Sequence, residues 1–120
     1  MQNTLNISNL NEAEALSINH NSNFNCWGAT LYILNQRESL EWTCEQDMDE
    51  FLENNTVLTE KREVGNILCL YTENILEHTA VYTGNGYLWH KMGREKGAFG
   101  CEDEVRIEYE HDRVEIRKLK

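Results

Sequence analysis

The chain has no proline and no long apolar run. Without proline there is no rigid proline linker and no cis-proline turn. No segment comes near the roughly 18 consecutive apolar residues that cross a bilayer. Residues 1–6 hold neither a basic region nor an apolar stretch, so no secretory signal is visible. We therefore expect a protein that is cytoplasmic as synthesised, with export by a route that needs no signal peptide as the alternative.

Basic residues are scarce: 11 lysines and arginines stand against 21 acidic residues, which gives a net charge of −10. Such a chain repels polyanions, so neither nucleic acid nor an anionic membrane is expected as a partner. A content of 40% hydrophobic and 27% charged residues is typical of a globular domain. The 120 residues suit one core, and no repeat or linker divides them, so residues 1–120 are predicted to form a single domain.

The four cysteines are spaced too widely for a C-x-x-C metal site, so no metal and no other cofactor is expected. In the absence of a signal sequence they are predicted to be free thiols rather than a disulfide framework. Cys69 falls in an apolar strand and Cys44 on the apolar side of a helix, so both are predicted to be buried. Cys101 follows a glycine-rich loop and is not placed.

The first half of the chain has the pattern of helices. Residues 10–18 predict a short helix with Leu10 and Ala13 inward, and residues 26–36 predict a second one. A capping box formed by Thr43 and Gln46 predicts the start of a third helix. Its inward side is expected to hold Cys44, Met48, Phe51, Leu52 and Asn55.

After Gly65 the pattern changes to strands. Residues 67–71 predict a central strand, and residues 78–83 and 87–92 predict two strands joined at the turn 84–86. Residues 93–100 predict a loop, and residues 105–109 and 114–116 a final hairpin. Helices followed by antiparallel strands predict an α+β fold, in which the N-terminal helices pack on the sheet.

Cys26 is the candidate nucleophile. Asn25 is a good N-cap, which places Cys26 in the first turn of the second helix. The positive end of the helix dipole favours the thiolate, and the thiolate is the nucleophilic form. Gly28 removes a side chain beside the sulfur, and Trp27 could form a wall of the cleft. The alternative is a structural cysteine buried at a helix start.

A cysteine nucleophile needs a base and a group that orients the base. His78 and His90 are the candidates, and the length of the turn between their strands decides whether they meet. A three-residue loop 84–86, closed by Gly86 in a bulge, would place Thr83 opposite Tyr87, Ala80 opposite His90 and His78 opposite Met92. One face would then carry His78, Ala80, Leu88 and His90, whereas a two-residue loop would put the histidines on opposite faces. The alternatives are a histidine that only begins a strand and a surface histidine beside Lys91.

The order of these residues resembles the NlpC/P60 superfamily of papain-like cysteine hydrolases. The likeness spans residues 25–92: Cys26 at a helix start, Gly65-Asn66-Ile67-Leu68 opening a strand, His78-Thr79-Ala80-Val81-Tyr82-Thr83-Gly84-Asn85-Gly86, and then His90. It implies a papain-like core in which Cys26 is the nucleophile, His78 the base and His90 the orienting third member. Asn25, Trp27 and Asn66 replace residues usual in the family, so substrate preference is not implied.

The resemblance implies hydrolysis of an amide bond, and we expect a peptidoglycan stem peptide as the substrate, because the family typically cuts cell-wall peptides. The Cys26 N–H and a neighbouring donor would hold the oxyanion, and Trp27 and Gly28 would border the substrate. Such a protein could be an effector, a toxin with an immunity protein as its partner, or phage-borne. Two alternatives stay open: a deamidase or acyl-transferring toxin with the same triad, and a binding or inhibitory module without catalysis.

Overall fold

The computed structural model describes residues 5–17, 23–91 and 97–120. In them the fold is α+β, as expected, with an open antiparallel sheet of six strands. The helices are α1 (Ile7–Ser17), α2 (Cys26–Ile33), α3 (Glu45–Asn55) and α4 (Glu102–Ile107). The strands are β1 (Thr56–Thr59), β2 (Ile67–Thr72), β3 (Ile75–Gly84), β4 (Tyr87–Lys91), β5 (Gly97–Cys101) and β6 (Arg113–Leu119). Among these helices none is long and apolar enough to cross a bilayer.

The strand order is β1-β6-β2-β3-β4-β5, and every neighbouring pair is antiparallel. The predicted central position of β2 is confirmed, because β6 and β3 flank it and its first four residues are fully buried. β1 and β5 form the two edges of the described sheet. Both histidine-bearing strands, β3 and β4, therefore have a neighbour on each side.

The sheet buries apolar side chains on both faces, because successive residues of a strand point to opposite sides. One face packs against the first three helices and forms the larger core; we call it the α2 face. The other face packs against α4; we call it the α4 face. Along β3 the alternation is direct: Val81 belongs to the α2 face, while Ala80 and Tyr82 belong to the α4 face.

The first two helices are shifted relative to their predicted limits. α1 begins three residues before Leu10 and is described as far as Ser17, and the predicted last residue, Ile18, lies outside the described residues. Leu10 and Ala13 are buried, as expected. α2 ends at Ile33, before the predicted Gln36, because Asn35 has a positive φ of 61° that no helix continues.

The predicted capping box at Thr43 and Gln46 is wrong. Cys44 is the N-cap of α3, it is exposed, and its side chain makes no cap bond. Thr43 is held outside the helix because its backbone N–H and C=O both bond to the Asn25 side chain. The inward prediction holds for Met48 and Leu52 and fails for Cys44 and Asn55, which are exposed.

The prediction of a loop over 93–100 is wrong for its second half, since β5 begins at Gly97; residues 93–96 lie outside the described residues. Gly97 pairs with Lys91 at the edge of the sheet. A Cβ at this position would lie only 2.2 Å from an indole carbon of Trp89. The glycine therefore lets the edge strand pass over the indole.

The predicted hairpin of residues 105–109 and 114–116 is also wrong, because residues 102–107 form α4. Three acidic residues fill its first turn, and Glu104 accepts a hydrogen bond from the Cys101 N–H at 3.2 Å. Carboxylates at a helix N-terminus complement the orphan N–H groups and the dipole. The second half, β6, is a strand, but it pairs with β2 and with β1, which the sequence did not predict.

Candidate functional site

Asn25 organises the start of α2, as predicted. Its side-chain oxygen accepts from the Gly28 N–H at 3.0 Å, which satisfies one of the orphan donors of the first turn. The same amide accepts from Thr43 N at 3.2 Å and donates to Thr43 O at 2.8 Å. One buried side chain thus caps the helix and anchors the segment that leads into α3, and it fixes Cys26 in the first turn.

The Cys26 thiol is buried, and its pKa is raised, whereas we had expected a lowered one. Burial raises the pKa of Cys26 from its ordinary 9.0 to about 11. The backbone N–H groups of Thr79, Trp27 and Cys26 itself lower this pKa, and so does the charge of Lys91. The N–H groups at the helix start therefore lower the pKa of the thiol, as predicted, but desolvation of the thiolate raises it by more.

Near the histidines, the hairpin of β3 and β4 has the predicted register, but its turn differs from the predicted one. Asn85 and Gly86 form a two-residue turn with positive φ angles of 56° and 81°, as a type I′ turn requires. Gly84, not Thr83, pairs with Tyr87, and the register shifts between Tyr82 and Gly84. The predicted three-residue loop is therefore wrong.

The shift in register is a β-bulge that leaves Thr83 as an extra residue in β3. Below the bulge, Tyr82 pairs with Leu88 and Val81 with Trp89. Continued by one residue, this register places Ala80 opposite His90, as predicted. The expected partner of His78, Met92, lies outside the described residues. The extra residue of the bulge therefore puts the two histidines on the same face, as a three-residue loop would have done.

His78 and His90 lie side by side on the α4 face. A hydrogen bond of 2.8 Å joins His78 Nε2 to His90 Nδ1, so one of these two nitrogens carries the shared proton. The ring centres are 5.0 Å apart and the planes are nearly perpendicular. The structure therefore brings together two of the three predicted catalytic residues.

Tyr109 covers one face of the His78 ring. Its ring stacks on His78 with centres 3.9 Å apart and planes 15° from parallel. Burial, with a smaller contribution from the charge of His90, lowers the pKa of His78 well below 6.5. Burial also lowers the pKa of His90, although the charge of Glu108 opposes that effect. The pair is therefore neutral at neutral pH.

Cys26 is not on the face that carries the histidines, where we had expected it. The Thr30 hydroxyl of α2 bonds to that of Thr79 at 2.8 Å, so Thr79 points to the α2 face and its neighbour His78 to the other. In the described residues no hydrogen bond joins Cys26 to either imidazole. The backbone N–H of Thr79, the residue after His78, lowers the pKa of the thiol.

Two further residues were predicted to border the substrate. The Trp27 side chain is partly buried against the core of the α2 face, and its buried Nε1 has no hydrogen-bond partner among the residues that the structure describes. Gly28 is buried, and a Cβ there would lie 1.8 Å from the Glu41 carbonyl oxygen. Close packing against the Glu41 backbone, rather than an open position beside the sulfur, accounts for this glycine.

Sequence reasoning missed Tyr109 and Lys91. Tyr109 was assigned to a strand, so no signal placed it beside His78. Lys91 could have been found, because strand parity puts it on the face opposite His90 once His90 is placed. In the part of the chain that the structure describes, no cluster of histidine, cysteine or acidic residues could hold a metal ion.

Comparison with family models, with curated proteins and with solved structures gave no match. The resemblance to the NlpC/P60 superfamily therefore rests on the residues of this chain.

Proposed function

We propose that this protein is a cysteine-dependent amide hydrolase on a papain-like core of the NlpC/P60 type. The observation that carries the proposal is the 2.8 Å bond between His78 Nε2 and His90 Nδ1. When an orienting group holds Nε2 of the base, Nδ1 can accept the thiol proton. Catalytic triads fix the tautomer of a histidine in this way. Cys26 at the capped start of α2 supplies the nucleophile.

The reaction follows from the groups at the two sites. Sγ of Cys26 attacks the amide carbon, and His78 takes the thiol proton and returns it to the leaving amine. The backbone N–H groups at the start of α2 hold the oxyanion. Because Cys26 lies on the α2 face and His78 on the α4 face, proton transfer requires a movement of α2 relative to β3 that brings the thiol to His78 Nδ1. Water then hydrolyses the thioester.

The substrate in this proposal is a peptidoglycan stem peptide, and this choice rests on the resemblance. A protein amide, as in a deamidase or an acyl-transferring toxin, would use the same three residues. If the protein acts as a toxin, an immunity protein is its expected partner.

The test is hydrolysis of purified stem peptides, followed by mass spectrometry. We expect Cys26→Ala and His78→Ala to abolish turnover, and His90→Ala to cost less, because an orienting group does not itself move the proton. Cys44→Ala and His111→Ala are matched controls outside the triad and should retain activity. Circular dichroism confirms folding. Full activity of Cys26→Ala would contradict the nucleophile assignment.

One observation favours a second candidate, a binding or inhibitory module without catalysis. Cys26 is only 8% exposed, burial raises its pKa to about 11, and it makes no hydrogen bond to the imidazoles. This candidate replaces the first if the wild-type protein cleaves neither stem peptides, nor protein amides, nor esters. Ammonia release from protein amides is the assay that identifies a deamidase.

A further inference from the structure

A pair of buried hydroxyl groups joins α2 to the strand that carries His78. The hydroxyl oxygens of Thr30 in α2 and Thr79 in β3 are 2.8 Å apart, and both residues are buried. Thr30 also donates to the Cys26 carbonyl oxygen at 2.8 Å. Because a hydroxyl has one proton, Thr79 must be the donor in the bond between the two hydroxyls. We call this bond, from Thr79 to Thr30, the latch bond.

The latch bond lies one helical turn from the candidate nucleophile. Cys26 and Thr30 are four residues apart, so they lie on the same face of α2. The latch bond holds this face against Thr79, the residue that follows His78 in β3. With the face held there, Cys26 is only 8% exposed.

The two halves of α2 are held by different interactions. In the first half, Gly28 and Ala29 have little apolar surface to bury, and the one large side chain, Trp27, is only partly buried. In the second half, Leu31 and Ile33 are fully buried in the core of the α2 face. Apolar burial therefore fixes the end of the helix far more firmly than its start, where the latch bond carries more of the attachment.

The other attachments of the helix start lead to a surface segment and not to the sheet. The Asn25 side chain bonds to the Thr43 backbone, and Gly28 packs on the Glu41 carbonyl group. Glu41 and Trp42 are exposed. The start of α2 can therefore leave β3 together with this segment, without breaking the bonds between the two.

We propose that the latch bond holds the start of α2 closed on β3 in the resting protein, and that its release exposes the Cys26 thiol by a local opening. This effect on the thiol does not depend on any activity. Its consequence for catalysis rests on the proposed function: release of the latch bond permits the movement of α2 relative to β3 that proton transfer to His78 requires.

The experiment compares two buried thiols of the same protein during labelling with iodoacetamide at increasing urea. Cys44 and Cys101 are first changed to serine, and mass spectrometry follows the peptides of Cys26 and Cys69. Each rate, divided by the rate of the same thiol in the urea-unfolded protein, gives an opening constant. Cys69, which is 0% exposed in the central strand β2, reports global unfolding. We expect a larger opening constant for Cys26, with little dependence on urea, because a local opening exposes little surface.

Two variants separate the local opening from global unfolding. Thr79→Val keeps the shape of the side chain and removes the latch bond, so it should raise the opening constant of Cys26 about fivefold, which is the effect of one neutral hydrogen bond. Ile116→Val shortens a buried side chain on the α4 face, away from α2. It should raise the opening constant of Cys69 several-fold and leave that of Cys26 unchanged, because the α4 face stays packed when α2 opens.

An opening constant for Cys26 that is no larger than that of Cys69, with the same dependence on urea, would overturn the proposal, because global unfolding alone would then expose the thiol. So would equal effects of Ile116→Val on both thiols, or an unchanged Cys26 in Thr79→Val. If Cys26 opens locally in a protein that hydrolyses nothing, the role of the latch bond is supported and the hydrolase is contradicted.

Discussion

Gly28 packs tightly against the segment that follows α2. A Cβ at this position would lie 1.8 Å from the Glu41 carbonyl oxygen and 3.0 Å from its carbon. These are backbone atoms two residues before Thr43, which the Asn25 side chain anchors, so they cannot rotate away as a side chain would. Glycine is required here by a steric contact rather than by its backbone angles.

We therefore expect Gly28→Ala to lower the free energy of unfolding, although alanine is the better helix former by about 1 kcal/mol. Overpacking of this kind costs about 1–3 kcal/mol, and a backbone clash belongs at the upper end. Urea unfolding measures the loss. Gly100→Ala is the control, because its Cβ would meet Glu104 at an ordinary 3.6 Å. Equal stability of the two variants would contradict the steric argument.

At the residue scale, the predictions that succeeded were local ones. The Asn25 cap and the place of Cys26 in the first turn depend on a few neighbouring residues, and both are confirmed. The acidity of Cys26 depends on burial, which segments far along the chain create. A sequence pattern cannot weigh that desolvation against the helix dipole, so the sign of the pKa change was missed.

At the scale of elements, Glu102 attaches α4 to the rest of the fold. Its carboxylate accepts from Arg62 Nε at 2.7 Å, from the Tyr82 hydroxyl and from Arg106 at 3.5 Å. These donors belong to the segment before β2, to β3 and to α4 itself. Although partial burial opposes ionisation, these donors hold the pKa of Glu102 below its ordinary 4.5. The carboxylate is therefore ionised across the neutral range.

Glu102→Gln should destabilise the protein by about 1–3 kcal/mol, because hydrogen bonds to a charged group contribute that much and an amide cannot accept all of these donors. Chemical unfolding with tyrosine fluorescence measures the change. Asp103→Asn removes a charge from the same helix turn at an exposed position and should change stability little. If the two variants lose equal stability, the loss of net charge, and not the loss of the hydrogen bonds to Glu102, explains the effect.

The elements that the sequence predicted have strong patterns of their own. The continuous apolar run of β2 and the glycine turn between β3 and β4 gave those strands, and the hydrophobic period gave α3. β1 has only four residues and follows α3 directly, and β5 contains two glycines, so both patterns are too short or too interrupted to predict a strand. Val105, Ile107 and Tyr109 alternate, but such a short apolar alternation also fits one turn and a half of helix.

At the scale of the whole molecule, the two imidazoles couple folding to pH. The folded pKa values of His78 and His90 lie below 6.5, the ordinary value that the unfolded chain regains. Below pH 6.5 the unfolded chain therefore binds more protons than the folded one, and stability falls as the pH falls. Above pH 6.5 both states are neutral at these residues, and their contribution is complete.

We expect the urea midpoint to fall steadily between pH 6.5 and pH 4.5, above the range in which Glu102 titrates. His78→Phe keeps a ring against Tyr109 and removes one titrating group, so the slope with pH should be smaller. A slope that is the same in the two proteins would show that other groups cause the pH dependence.

The two histidines lie on one face only if the number of residues between His78 and the turn has the right parity. The extra residue of the bulge at Thr83 sets that parity. Adding or removing one residue between His78 and the turn would exchange the two sides of β4, so that Trp89 and Lys91 would stand where Leu88 and His90 now stand. A second such change would restore the arrangement. We therefore expect insertions or deletions of two residues in this part of β3 to keep both histidines on one face. The length of an insertion matters more for this than its composition.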